Sequence, residues 1–127
     1  MNAALKAQQR YREEAILSAS PERLVTMLYD RLLLDVARAE AAQRAGEWET
    51  ANGELQHAQR IVAELSSSLS AQWSGSGELQ SVYGYLTRTL VQANIARDAE
   101  RTRECRELIE PLREAWHAAA SLTVSTP

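Results

Sequence analysis

Four segments with the apolar periodicity of an α-helix follow one another in this chain of 127 residues. The first opens with Ser20 as N-cap and Pro21 as first helical residue, and Gly46 ends it. Because Gly46 and a neighbour or two form the whole connection to the second segment, the first two helices must be antiparallel. A loop at 72–77 precedes the third segment, and Asp98 is the expected N-cap of the fourth. The pattern predicts an all-α protein, an antiparallel up-and-down four-helix bundle.

Composition supports helix and divides the chain into three parts. Ala, Leu, Glu, Arg and Gln dominate, and the chain has no Phe, five Gly and three Pro. Residues 18–120 are predicted to form the bundle as one domain, with a core large enough to need no covalent staple. Residues 1–17 lack a clear cap or apolar stripe, so we expect a loose N-terminal arm, flexible or a short helix. The Ser/Thr-rich residues 121–127 are expected to be a disordered tail.

The first helix is apolar on more of its circumference than a bundle can bury. Its core face has a normal width of about 140°, and a second apolar ribbon, interrupted by Arg31, lies on another side. The third helix also carries apolar side chains outside its core face. We therefore expect one exposed apolar trough, which a peptide-like partner or the chain's own arm would cover. Its predicted residues are Leu24, Met27 and Leu34 of the first helix and Tyr85, Val91 and Ile95 of the third.

Two Glu-x-x-His sequences, Glu54–His57 and Glu114–His117, match a motif of di-iron carboxylate bundles. Helical rotation places both histidines away from the inward faces of their helices, and the interior of the third helix lacks the acidic residue that would bridge the metals. Solvated helix faces explain both sequences. Neither a Gly-rich phosphate loop nor a nucleophile with its base can be assembled. We predict a binding protein with no metal, no other cofactor and no enzymatic activity.

Charge and cysteine content limit the partners and the compartment. The net charge is −3 without a basic block, so nucleic acid is not an expected partner. No stretch is long enough for membrane insertion, and residues 1–10 lack the apolar core of a signal peptide. The single cysteine, Cys105, fits a reducing compartment and a buried position among apolar residues. These features predict a protein that is cytosolic or that leaves the cytosol by a route that reads no such signal.

Several motifs together resemble the FliS family of flagellar secretion chaperones. The resemblance covers about residues 8 to 118, nearly the whole chain, and the motifs are fairly specific as a set. They are Tyr11, Leu-Ser-Ala-Ser-Pro-Glu-Arg-Leu at 17–24, Met-Leu-Tyr-Asp at 27–30, Leu79, Val-Tyr-Gly-Tyr-Leu at 82–86, Leu-Val-Gln-Ala-Asn at 90–94, Asp98 and Leu-Arg-Glu-Ala-Trp at 112–116.

The resemblance implies an all-helical cytosolic chaperone that binds the disordered C-terminal segment of flagellin before export. In that family the client lies as helical pieces in apolar grooves, and the chaperone's N-terminal arm covers part of this surface when no client is present. Family members also dock, with client, on the export gate protein FlhA. The six trough residues would then contact flagellin, while Tyr11, Ile16 and Leu17 would form the displaceable arm and the gate contact. We expect a monomer or a weak dimer.

The chain departs from the family pattern at two places. Arg31 stands where the family usually has Gly after Leu-Tyr-Asp, and the loop before the third helix carries Trp73 in place of a Gly-Gly-Glu pattern.

Other functions would use the same apolar surface. A chaperone or adaptor for another secreted filament protein would bind its client there, and a structural helical oligomer would bury it in a symmetric contact. A di-metal bundle enzyme would need the bridging carboxylate that is missing.

Overall fold

The computed structural model describes residues 3–4, 21–69 and 75–125 of the chain. Within these ranges Ala3 and Ala4 are helical, no residue is in a strand, and no helix is both long and apolar enough to cross a membrane. The arm residues Tyr11, Ile16 and Leu17 lie outside the described residues, as does Trp73. The long helices are α1 (Pro21–Arg44), α2 (Trp48–Ser67), α3 (Ser76–Ile95) and α4 (Ala99–Ser125).

The four long helices lie at the corners of a square. α1 packs against α2 and α4, and α3 packs against the same two helices. The turns from α1 to α2 and from α3 to α4 are only a few residues long, which makes the helices of each pair antiparallel. α1 and α3 therefore occupy diagonally opposite corners. This arrangement confirms the predicted all-α antiparallel four-helix bundle.

Two turns at one end of the bundle share a left-handed backbone geometry. Gly46 follows α1 with a φ of 74°, and the next amide donates a hydrogen bond back to the Ala42 carbonyl at 2.8 Å. Arg97 follows α3 with a φ of 53°, and the next amide donates to the Ala93 carbonyl at 3.0 Å. Both turns satisfy carbonyls that a helix end leaves without a partner. The Arg97 guanidinium also lies 4.9 Å from the centre of the Trp48 ring, a cation–π contact that joins the two turns.

Asp98 caps α4, as the sequence predicted. Its Oδ1 accepts hydrogen bonds from the backbone amides of Glu100 and Arg101, at 3.0 and 3.3 Å. These amides have no acceptor within the helix, so the cap stabilises α4 by about 1 kcal/mol.

The core contains a buried pair of tyrosine hydroxyl groups. Tyr29 and Tyr83 reach each other from the diagonal helices α1 and α3, and their hydroxyl oxygens are 2.6 Å apart. Trp116 lies half-buried against Tyr29, with the ring centres 6.4 Å apart. Cys105 is fully buried, which confirms the interpretation of this thiol as a small core side chain. Other fully buried apolar side chains are Leu32, Val36, Leu55, Val62, Leu65, Leu86, Leu90 and Ile109.

α4 is longer than its sequence pattern predicts. A disordered tail is expected from residue 121, but the helix continues to Ser125. The prediction is therefore wrong for residues 121–125. The Ala118–Ala120 run that precedes them favours helix, and Ser and Thr each cost only about 0.5 kcal/mol in a helix relative to Ala.

Candidate protein-binding surface

Two large apolar side chains remain exposed on the outward side of α1. Met27 is 39% exposed and Leu34 is 40% exposed. They are two helical turns apart, which places them on the same side of α1 with about 10 Å between them along the axis. Leu24, one turn before Met27, is half-buried. We refer to Met27 and Leu34 as the α1 strip.

Polar contacts on both flanks show that the α1 strip points away from the neighbouring helices. On one flank, Asp30 accepts hydrogen bonds from Arg113 Nε and His117 Nε2 of α4, each at 2.6 Å. On the other flank, Asp35 pairs with His57 of α2. The α1 strip lies between these flanks and opposite the core face, so it faces solvent.

The contacts of Asp30 also fix its charge. Partial burial acts to raise the pKa of the Asp30 carboxyl, but the hydrogen bonds and positive charges of His117 and Arg113 outweigh this effect. The net result is a pKa below the usual value for Asp. Asp30 is therefore ionised at neutral pH and remains bound to α4.

The histidines of the two Glu-x-x-His sequences join helices. His57 and His117 are half-buried and pair with Asp35 and Asp30 of α1. We expected both sequences to lie on solvated helix faces. This expectation needs correction for the histidines, because each lies at the edge of its helix, where α1 approaches it. In the part of the chain that the structure describes, no group of three or more His, Cys, Asp or Glu side chains could hold a metal ion.

Arg31 places a positive charge beside the α1 strip. It lies one helical turn after Met27 and one before Leu34, with half of its side chain exposed. Its Nε donates a hydrogen bond to Oδ1 of the fully buried Asp35 at 2.9 Å. The departure from the family pattern at this position therefore changes the charge of the exposed side of α1 and leaves its fold intact.

The predicted residues of α3 do not share one side of that helix. Tyr85 is 42% exposed and donates a hydrogen bond to Glu104, so it lies where α3 meets α4. Ile95 is 80% exposed and lines, with Trp48 of α2, a cavity of about 450 Å³ at the end of the bundle. Val91 is half-buried. The hydrogen bond to Glu104 also raises the pKa of Tyr85, which keeps its hydroxyl protonated.

The structure therefore does not bring the six predicted residues into one trough. α1 and α3 are at diagonal corners, so the exposed side of one cannot adjoin the exposed side of the other. The expectation of a single trough is wrong for this reason. The molecule instead presents the α1 strip and, separately, apolar side chains of α3.

Leu108 belongs with Tyr85, although its spacing predicts an inward position. It is 37% exposed and lies one turn after Glu104, the hydrogen-bond partner of Tyr85. We refer to Tyr85 and Leu108 as the α3–α4 patch. The signal in the sequence is that Leu108 lies at the edge, and not the centre, of the stripe that Cys105 and Ile109 define.

Comparison with known proteins gives the family. The chain matches the family model described as "Flagellar protein FliS" over residues 3–123. It is 32% identical over 109 residues to the flagellar secretion chaperone FliS of Bacillus subtilis strain 168. The matched region covers 86% of this chain and 82% of that protein. It is also 32% identical over 107 residues to the flagellar secretion chaperone FliS of Salmonella typhimurium strain LT2. That match covers 82% of this chain and 79% of the Salmonella protein.

A solved structure agrees on the fold. The crystal structure of a flagellar chaperone from bacteria is similar with a TM-score of 0.73 at 17% identity, covering 93% of this chain and 98% of that one. Members of the matched family are secretion chaperones and not enzymes. By its sequence over nearly its whole length, the chain belongs to the FliS family of flagellar secretion chaperones.

Proposed function

We propose that this chaperone binds the disordered C-terminal segment of flagellin in the cytoplasm, prevents its premature polymerisation and delivers it to the export gate protein FlhA. The observation that carries the proposal is the α1 strip, where two large apolar side chains stay exposed on a helix whose core face is already filled. Family membership supports a flagellar client. The exposed strip supports the mode of binding, an amphipathic client helix laid against apolar side chains.

The α1 strip alone offers too little free energy to hold such a client. Burying a whole Met or Leu side chain contributes about 1.5–3 kcal/mol, and about two-fifths of Met27 and of Leu34 is available. Covering both would contribute about 2 kcal/mol. Ordering a disordered segment costs about 2–5 kcal/mol or more. The client must therefore contact a second surface as well.

The α3–α4 patch is the second surface in this proposal. A single straight helix cannot reach both surfaces, because α1 and α3 lie at diagonal corners. With helix axes about 10 Å apart, the path from one surface to the other is about 25 Å, which about eight extended residues span. We therefore expect one client helix against Leu24, Met27 and Leu34, and a second against Tyr85 and Leu108 of the α3–α4 patch.

The N-terminal arm has a regulatory role in the proposal. Tyr11, Ile16 and Leu17 would cover the client surface when flagellin is absent and contact the export gate when it is present. These three residues lie outside the described part of the chain, so the support for this role is the family resemblance.

The proposal is tested by titrating the full-length chain with a peptide of about forty residues from the C-terminus of the same organism's flagellin, long enough for two helices and a connector. We expect binding by isothermal calorimetry. Met27→Glu should weaken it at least about tenfold, or about 1.4 kcal/mol, because the contact would bury a carboxylate against apolar side chains. Circular dichroism should show that the variant remains helical.

Gln56→Glu is the matched control. It makes the same charge change at an exposed position of α2, away from the α1 strip, and should leave the affinity within about twofold. Absence of binding by the unaltered chain would refute the proposed function. Equal affinities for the Met27 and Gln56 variants would remove the α1 strip from the client site.

A further inference from the structure

We infer that the α1 strip selects its client by charge as well as by apolar contact. Arg31 and Arg38 form a basic row beside Met27 and Leu34, and the client helix that binds there carries acidic side chains facing this row. The inference rests on the proposed function and adds a specificity determinant to it.

The two rows are parallel on the exposed side of α1. Arg31 and Arg38 are separated by two helical turns, as are Met27 and Leu34, and both arginines are exposed. Each arginine is three or four residues from a member of the α1 strip, the spacing at which helical side chains are neighbours. A client helix that covers the α1 strip therefore places one side of the client helix next to the basic row.

No carboxylate of the described residues meets the basic row at the protein surface. Among the described residues, the ion pair of Arg31 is with the fully buried Asp35 and uses Nε alone. Arg38 forms no ion pair or hydrogen bond with any residue that the structure describes. By contrast, Arg103 and Arg106 of α4 each bind two glutamates.

The acidic residues on the two flanks leave these guanidinium groups available. Glu54 and Glu64 share the side of α2 that carries His57, and neither forms an ion pair with a described residue. Asp30, on the other flank, is already bound by α4. The guanidinium groups of Arg31 and Arg38 thus stay available for a further carboxylate on a chain whose net charge is −3.

Asp35 holds Arg31 in place for such a contact. The buried carboxylate is itself fixed by His57, and its bond to Nε leaves both Nη groups of Arg31 for a second carboxylate. An arginine that is already held loses less side-chain freedom on binding. An acidic client residue would meet it at the edge of an apolar contact, where partial exclusion of water strengthens the ion pair.

The test uses Arg31→Gln and Arg38→Gln in the full-length chain, with Arg60→Gln as the control. Arg60 is exposed on α2 and forms no ion pair with a described residue. The probe is the flagellin peptide of about forty residues, titrated at about 0.05 and 0.5 M NaCl. We expect each α1 variant to bind about three- to tenfold more weakly at low salt, with a smaller difference at high salt. The control should change affinity less than about twofold.

A second peptide separates direct pairing from a change in folding. Its acidic residues are replaced by Gln; it should bind the unaltered chain more weakly but cause no further loss with the Arg31→Gln/Arg38→Gln double variant. Arg38→Gln removes no internal bond, so it reports on the row even if Arg31→Gln disturbs Asp35. No binding by the unaltered chain would refute the proposed function. Two other results would overturn this inference and leave the proposed function standing. One is that the Arg31 and Arg38 variants bind the peptide with the same affinity as the Arg60 variant. The other is that the losses in affinity from changing the arginines and from changing the acidic peptide residues are additive.

Discussion

The hydroxyl pair of Tyr29 and Tyr83 allows a quantitative test of how the diagonal helices are joined. Both side chains are almost completely buried, and their oxygens are 2.6 Å apart. In Tyr83→Phe the Tyr29 hydroxyl would lose this partner but keep its hydrogen bond with the Trp116 side chain, whereas Tyr29→Phe would remove the hydroxyl that pairs with Tyr83. A buried hydroxyl that loses its hydrogen bond costs about 1–3 kcal/mol. We expect Tyr29→Phe to lower the free energy of unfolding by about 2 kcal/mol, and Tyr83→Phe by about 1 kcal/mol because the Tyr29 hydroxyl keeps one partner.

The double variant distinguishes the hydrogen bond from a loss of packing. Replacing both residues removes the two polar groups together, so the total loss should be about 2 kcal/mol and not about 3. Urea unfolding followed by tryptophan fluorescence is a suitable assay, because Trp116 lies against Tyr29. The single changes should move the midpoint by about 0.5–1 M. Tyr85→Phe, which removes an exposed hydroxyl, should leave it unchanged. Additive losses in the double variant would refute the coupling.

Two further predictions concern single residues. Burial raises the pKa of the Cys105 thiol to about 12, so it should stay protonated at pH 8 and react with dithionitrobenzoate far more slowly in the native chain than in urea; labelling at the rate of a free thiol would mean that α4 is not packed as described. Asp98→Ala should lower the free energy of unfolding by about 1 kcal/mol, and Asp98→Asn by less than half of that, because Asn keeps an oxygen for the amides of Glu100 and Arg101. Equal losses for the two variants, measured by urea unfolding, would argue against the cap.

The fold could be predicted because its signals are local. Gly46 and Asp98 end and begin helices through contacts within a few residues, and the structure shows both acting as predicted. The same holds for the inward position of Cys105, which follows from the spacing of its apolar neighbours. These features depend on the rotation of one helix, which a sequence specifies.

The grouping of the exposed residues could not be predicted, because it depends on which helices are neighbours. The pattern correctly placed Met27 and Tyr85 outside the core, but it could not show that α1 and α3 are diagonal. For the same reason it missed the pairing of His57 and His117 with α1. The left-handed backbone of Arg97 could not be predicted either, because arginine does not signal such a turn as glycine does. The contact of its guanidinium with Trp48 accompanies this conformation.

The diagonal position of α1 and α3 has a consequence for the strength of client binding. In the proposed binding mode, two client helices joined by a connector would form a bivalent ligand, so once either had docked, the other would be present at an effective concentration of the order of millimolar. The overall affinity would then exceed that of one face alone whenever the dissociation constant of the other face is below this effective concentration. Release from such a complex could proceed one face at a time, so a protein that receives the client would need to compete with only one contact at each step.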